Sequence, residues 1–117
     1  MFKTGIAFHY NVSNIERTIA FYTEKLGFCI HDYNADLRQA RLYTNNKDCL
    51  IGFAEMQPVI PSSTCITFEV DDIEQAVQIF QSKGVHFNSE IVEVPNTVKL
   101  APFSDPDGYS LMLYAQV

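Results

Sequence analysis

The chain is short of cysteine, glycine, positive charge and long apolar runs, and each shortage closes off a class of function. Its three cysteines, Cys29, Cys49 and Cys65, are odd in number and have no CxxC spacing. Neither a disulfide framework nor a zinc knuckle is therefore expected, and a reducing cytoplasm is the natural compartment. No apolar run approaches the roughly 18 to 20 residues that span a bilayer. Residues 1–5 lack a basic segment followed by an apolar one, so neither a membrane segment nor a signal peptide is expected. With 8 Lys and Arg against 14 Asp and Glu spread thinly, for a net charge of −6, no face can track a phosphate backbone, and nucleic acid is not an expected partner. The acidic balance is compatible with a cationic ligand but is also ordinary for solubility. Five glycines, two of them placed as helix stops, leave little from which to build a nucleotide cradle. Paired carboxylates at catalytic spacing and a Ser-His-Asp arrangement are missing as well.

What is present is enough apolar material, 47% over 117 residues, for the core of one globular domain. It is arranged twice. Residues 7–25 laid over 65–83, a shift of 58, place Val12, Ile15, Glu16 and Lys25 on Val70, Ile73, Glu74 and Lys83. In both copies an N-cap, Ser13 or Asp71, is followed by Glu16 or Glu74 in the pattern of a capping box, and Gly27 or Gly84 closes the helix. The apolar stripe is Ile15, Ile19, Tyr22 and Leu26 in the first helix and Ile73, Ala76, Val77 and Phe80 in the second.

Alternation predicts a strand before each helix, at 5–10 and 64–70. Three more follow each helix, at 28–33, 38–44 and 49–55, then 85–94, 97–103 and 109–115, with turn residues at 45–48 and 104–108. The pattern is strand, helix and three strands, written twice: an α+β chain of module 1 (about 1–56), a proline-containing join (57–63) and module 2 (about 64–117) acting as one domain. Phe8, Tyr10, Phe21, Tyr22, Phe68 and Phe80 fall on the core stripes. Tyr43, Phe53, Phe103 and Tyr114 are open between core and pocket. His31, Asp32, Asp36, Arg38 and Arg41 read as a solvated hairpin rim, and His86 as exposed.

The run from Val12 to Tyr22, continued by Lys25, Leu26, Gly27 and Phe28, resembles the opening motif of the vicinal-oxygen-chelate superfamily of glyoxalases, bleomycin-resistance proteins and extradiol dioxygenases. Ser104, Asp105, Pro106, Asp107, Gly108 and Tyr109 are similar to its closing DPDG turn. The resemblance implies paired βαβββ modules forming a cupped mixed sheet with helices outside, a homodimer, and a cup that holds a small organic molecule and often a divalent metal. Carried over residue by residue, the family's ligand positions are Ala7, Gly52, Cys65 and Met112. Ala and Gly have no donor atom, and two sulfurs alone make a poor site for zinc, iron or manganese, so no metal cofactor is expected. A two-residue offset would bring in His9, with Ala54, Thr67 and Tyr114, which still falls short of a set.

The cup-lining candidates are His9, Cys65, Thr67, Glu69, Met112 and Tyr114. A Cys65 thiolate activated by His9 is conceivable chemistry, but a cysteine on an apolar strand is more often a small core residue, and no third orienting group is identifiable. The preferred expectation is a metal-independent binding protein that sequesters a drug or metabolite. The alternatives are a lyase or dioxygenase with an altered metal site using His9 and Cys65, and a metabolite-sensing module.

Overall fold

The computed structural model describes every residue except 2, 4, 58 and 60–64, so of the join expected at 57–63 only Gln57 and Val59 are described. The chain divides into two compact units, Met1–Val59 and Ile60–Val117. Each has the order strand, helix, three strands. The first contains β1 (Ile6–Val12), α1 (Ile15–Ala20) running into a wider π-type segment (Phe21–Lys25), β2 (Cys29–Asn34), β3 (Gln39–Tyr43) and β4 (Cys49–Glu55). The second contains β5 (Cys65–Glu69), α2 (Ile73–Ser82), β6 (Val92–Val94), β7 (Val98–Ser104) and β8 (Ser110–Gln116).

Both sheets are four-stranded and mixed, in the orders β1-β4-β3-β2 and β5-β8-β7-β6. The first strand of each unit runs parallel to the last, and the remaining pairs are antiparallel. A parallel pair needs a long crossover, which the helix and two intervening strands supply.

The helices start one residue later than the sequence pattern suggests. Asn14, not Ser13, caps α1 by accepting from Arg17 N–H at 2.9 Å, and Asp72, not Asp71, caps α2 by accepting from Gln75 N–H at 3.0 Å. The expected capping boxes are replaced by ion pairs reaching to the sheets: Glu16 takes Arg38 and Glu74 takes Lys99. In the first unit the N–H of Ile15 is instead met from β4, by Glu55 Oε2 at 2.9 Å. The π-type turn, with Leu26 N–H donating to Phe21 O at 3.3 Å, shifts the buried face of the first helix to Ile15, Thr18, Phe21 and Tyr22. Ile19 and Leu26, expected on the stripe, are only half-buried. Gly27 and Gly84, at φ +83° and +89°, do end the helices as the pattern implied.

Each helix covers one face of its own sheet. Under the first lie Ala40, Leu42, Ile51 and Phe53; under the second lie Ala101, Phe103, Leu111 and Leu113. Phe53 and Phe103, open between core and pocket from the sequence, are thus core residues, whereas Phe8 on the edge strand β1 is 38% exposed. The strand expected at 85–94 shrinks to Val92–Val94, preceded by a lone bridge from Phe87 to Phe103. Asn88 N–H donates to Pro102 O at 2.8 Å, but Pro102 has no N–H to return on that side, and the ladder breaks there.

Arg38, at the end of the β2–β3 turn, ties three elements together by donating to Glu16 on α1 at 2.5 Å and to Glu55 on β4 at 2.6 Å. It holds both carboxyl groups below the usual carboxylate range, mainly through those hydrogen bonds. Depressed folded-state values mean that the stabilisation is complete above the ordinary carboxylate range and is lost as pH falls through the folded values. Urea unfolding should therefore show stability dropping below pH about 4, and Arg38→Gln should flatten that drop while lowering stability at neutral pH.

Candidate functional site

In the first unit, β-strand alternation sends one set of side chains under the helix and the other to the opposite, helix-free face. There the register aligns a row across all four strands: His9 on β1 faces Gly52 on β4, Gly52 faces Arg41 on β3, and Arg41 faces Asp32 on β2. A bulge between Ile30 and Asp32 brings Asp32 into that row. His31, within the bulge, lies edge-on to Tyr43 with ring centroids 4.9 Å apart.

Arg41 spends one edge on Asp32. Its Nε donates to both carboxylate oxygens at 3.1 Å, and Nη2 donates to Oδ2. That contact holds the Asp32 carboxyl below the usual range and the guanidinium above its own. The rim expected at His31, Asp32, Asp36, Arg38 and Arg41 is thus divided: Arg38 anchors the helix, whereas Asp32 and Arg41 belong to the row. Alternation around Ala40 and Leu42 was the signal that could have placed Arg41 there, since both neighbours are buried under the helix.

Above the row lies an open cavity of about 500 Å³ whose lining includes His9, Asp32, Asn34, Arg41 and Gly52. That volume suits a small organic molecule. Gly52 leaves the floor bare: a Cβ built there would stand 3.3 Å from His9 Nδ1 and 3.5 Å from Arg41 Cγ.

The other five cup-lining candidates sit together on the helix-free face of the second sheet. Thr67 faces Met112, Glu69 faces Tyr114, and Cys65 faces Ser110. Leu100 and Pro102 on β7 continue these rows beside Tyr114 and Met112, and Val92 on β6 lies beyond Leu100. The polar groups on this face include Thr67, Glu69, Gln116 and the serines at 104 and 110, set among apolar side chains. Partial burial raises the Cys65 thiol above its usual value, which disfavours the thiolate that a nucleophile requires. His9 lies in the other unit.

The positions carried over for a metal are offset from one another. Ala7 faces Leu50 while Gly52 faces His9, and Cys65 faces Ser110 while Met112 faces Thr67. Hard divalent ions need several oxygen or nitrogen donors converging on one point. Among the described residues no group of three or more His, Cys, Asp and Glu does so. The row offers one imidazole, and its carboxylate is already paired with a guanidinium whose charge would repel a cation. These donors do not fit such an ion.

Comparison with known proteins gives the same architecture. The family model described as the glyoxalase/bleomycin resistance protein/dioxygenase superfamily matches residues 6–113. No curated protein matches the chain. Among solved structures, an integron cassette protein, HFX_CASS4, from the mobile metagenome of the Halifax Harbour sewage outfall superposes with a TM-score of 0.80 at 24% identity, over 97% of this chain and 99% of that one. TnmS3, an antibiotic binding protein from Streptomyces sp. CB03234, gives 0.80 at 22% identity over 99% and 98%. A glyoxalase/bleomycin resistance protein/dioxygenase from Nocardioides gives 0.79 at 17% identity over 100% and 85%. At these identities the likeness speaks for the fold, and no helix among the described residues is long and apolar enough to cross a membrane. With the family match running from the first strand into the last, the chain belongs to the glyoxalase/bleomycin resistance protein/dioxygenase superfamily.

Proposed function

We propose that this protein binds a small organic molecule and holds it without a metal, sequestering a drug or metabolite rather than converting it. The observation that carries the reading is the cavity over the His9–Gly52–Arg41–Asp32 row, roomy enough for an organic ligand and lined by groups suited to hydrogen bonding. Sequestration needs a shaped pocket and no reacting group, which accords with a raised Cys65 thiol and with a donor set unsuited to a divalent ion. The similarity in fold to an antibiotic binding protein supports the same direction. On the second sheet, Thr67, Glu69, Met112 and Tyr114 form an apolar contact surface with a single carboxylate, and Met112 lends it adaptability. The reading includes a homodimer, as is usual in the family, with the two units of the chain serving one domain, and a cytoplasmic location in which three free thiols stay reduced.

Two measurements test it. Protein purified without chelator should carry metal far below one ion per chain. A thermal-shift panel of antibiotics, aldehyde-glutathione adducts and catechols should contain a stabilising ligand, worth about 2.7 kcal/mol when present at a hundred times its Kd. His9→Ala should reduce that stabilisation while leaving the unliganded fold intact. Stoichiometric metal, lost together with turnover when His9 or Cys65 is replaced, would establish the lyase or dioxygenase reading instead.

A further inference from the structure

Two donors in the row of the first sheet are unspent. Asp32 engages Nε and Nη2 of Arg41, and among the described residues Nη1 makes no hydrogen bond. The imidazole of His9, exposed on β1, makes no hydrogen bond among the described residues either. Both flank Gly52, the one position of the row without a side chain, where a Cβ would stand 3.3 Å from the imidazole Nδ1, 3.5 Å from Arg41 Cγ and 3.6 Å from Phe8 O. The backbone of Gly52 is not in the left-handed region, so nothing in its conformation requires glycine. A side chain there would press on the His9 ring and the Arg41 stem.

Asp32 has a second consequence. By holding one edge of the guanidinium it fixes its plane, so a residue that lines the cavity keeps Nη1 uncommitted without the entropy cost of ordering a free arginine. A cationic group placed over Gly52 would meet Arg41, and an apolar one would bury unpaired N–H groups. An anionic oxygen would meet an imidazole and a guanidinium N–H, the kind of contact in which charge assistance makes hydrogen bonds strongest. The net acidity of the chain therefore does not decide the charge of the ligand; the local donors do.

We propose that the gap over Gly52 is an oxyanion subsite, in which His9 and Arg41 Nη1 bind the carboxylate or a similar anionic oxygen of an organic acid whose apolar body fills the rest of the cavity. The proposal rests on the small-molecule-binding reading and specifies its ligand class. The glycine is the specificity element: any side chain at 52 would fill the space the oxyanion takes.

The test uses benzoate, naphthoate and phenylbenzoate, each beside its primary amide, with the intact protein, by thermal shift and titration calorimetry. At least one acid should bind and its amide should bind about tenfold or more weakly, the worth of one charge-assisted hydrogen bond. Arg41→Gln should bring the acid down to the affinity of the amide. Gly52→Ala, a substitution that leaves every charge in place, should weaken the acid by a similar factor, with circular dichroism and the unliganded melting midpoint reporting an intact fold in both variants. Retention of the acid's affinity in either variant overturns the subsite. Equal binding of acid and amide also overturns it while leaving small-molecule binding standing, and binding of no member of the panel tells against both.

Discussion

Phe53→Ala should lower the stability of the chain by about 3 to 5 kcal/mol, the cost of removing a buried phenyl ring and leaving its cavity. The ring is 1% exposed and sits in the middle of β4, the strand to which both β1 and β3 pair. It lies 4.8 Å from the Tyr22 ring on the first helix and 6.3 Å from Tyr10 on β1. The Tyr22 ring is itself held by contacts with Phe21 at 5.3 Å and Phe28 at 6.2 Å, which oppose its moving into the space. Urea unfolding should show the midpoint falling with little change in slope, and Phe53→Leu should lose less because it keeps more of the volume. Tyr43→Ala on the opposite face, 38% exposed, is the control and should cost well under half as much. A small effect at Phe53 would mean that the helix does not seal this face of the sheet.

The fold was legible because its signals are local and doubled. Val12, Ile15, Glu16 and Lys25 recur as Val70, Ile73, Glu74 and Lys83, so each module corroborates the reading of the other, and strand β4 (Cys49–Glu55) falls where alternation put it. What was not legible depended on partners distant in sequence. Ser13 and Asn14 are equally good caps by type; Asn14 takes the role because the helix starts at Ile15, whose N–H is claimed by Glu55 forty residues on. Glu16 and Glu74 suit capping boxes but pair instead with Arg38 and Lys99, cations supplied by the β2–β3 turn and by β7. The π-type turn at Phe21–Lys25 has no counterpart in α2, so the repeat that helped elsewhere pointed to an ordinary stripe there.

The placement of the candidate site residues on their sheets was legible in part. Period-two alternation placed His9 on the helix-free face of the first sheet, and Thr67, Met112, Glu69 and Tyr114 on that of the second, where they face one another in pairs. The partners of His9 were hidden by topology. Gly52 and Arg41 become its neighbours only because β4 inserts between β1 and β3, an order no local pattern encodes, and Asp32 joins the row only through the bulge beside it. A charged pair at the end of a hairpin and one beside a histidine look the same in sequence. Strand order separates them.

Asp105→Ala should cost about 3 kcal/mol, since one carboxylate oxygen serves two backbone amides and each amide left without its acceptor costs about 1 to 3. Asp105 is 6% exposed, and its Oδ1 accepts from Asp107 N–H and Tyr109 N–H, both at 2.9 Å. Its backbone N–H donates to Tyr109 O, and its carbonyl accepts from Gly108 N–H, where φ is +89°. The side chain thus shapes the turn that delivers β7 into β8 with Ser104 opposite Ser110. Side chains on a strand alternate, so a slip of one residue at this turn would carry Met112 and Tyr114 to the helix side and Leu111 and Leu113 to the other. Four apolar residues would exchange environments for the sake of one carboxylate. Asp105→Asn keeps a carbonyl oxygen in place and should recover most of the loss, whereas Asp105→Ala should show both the lower urea midpoint and faster amide exchange at Tyr109. If Asp105→Ala unfolds at the same urea concentration as the parent protein, the register of β8 is set by the packing of Leu111 and Leu113 alone, and the turn merely follows.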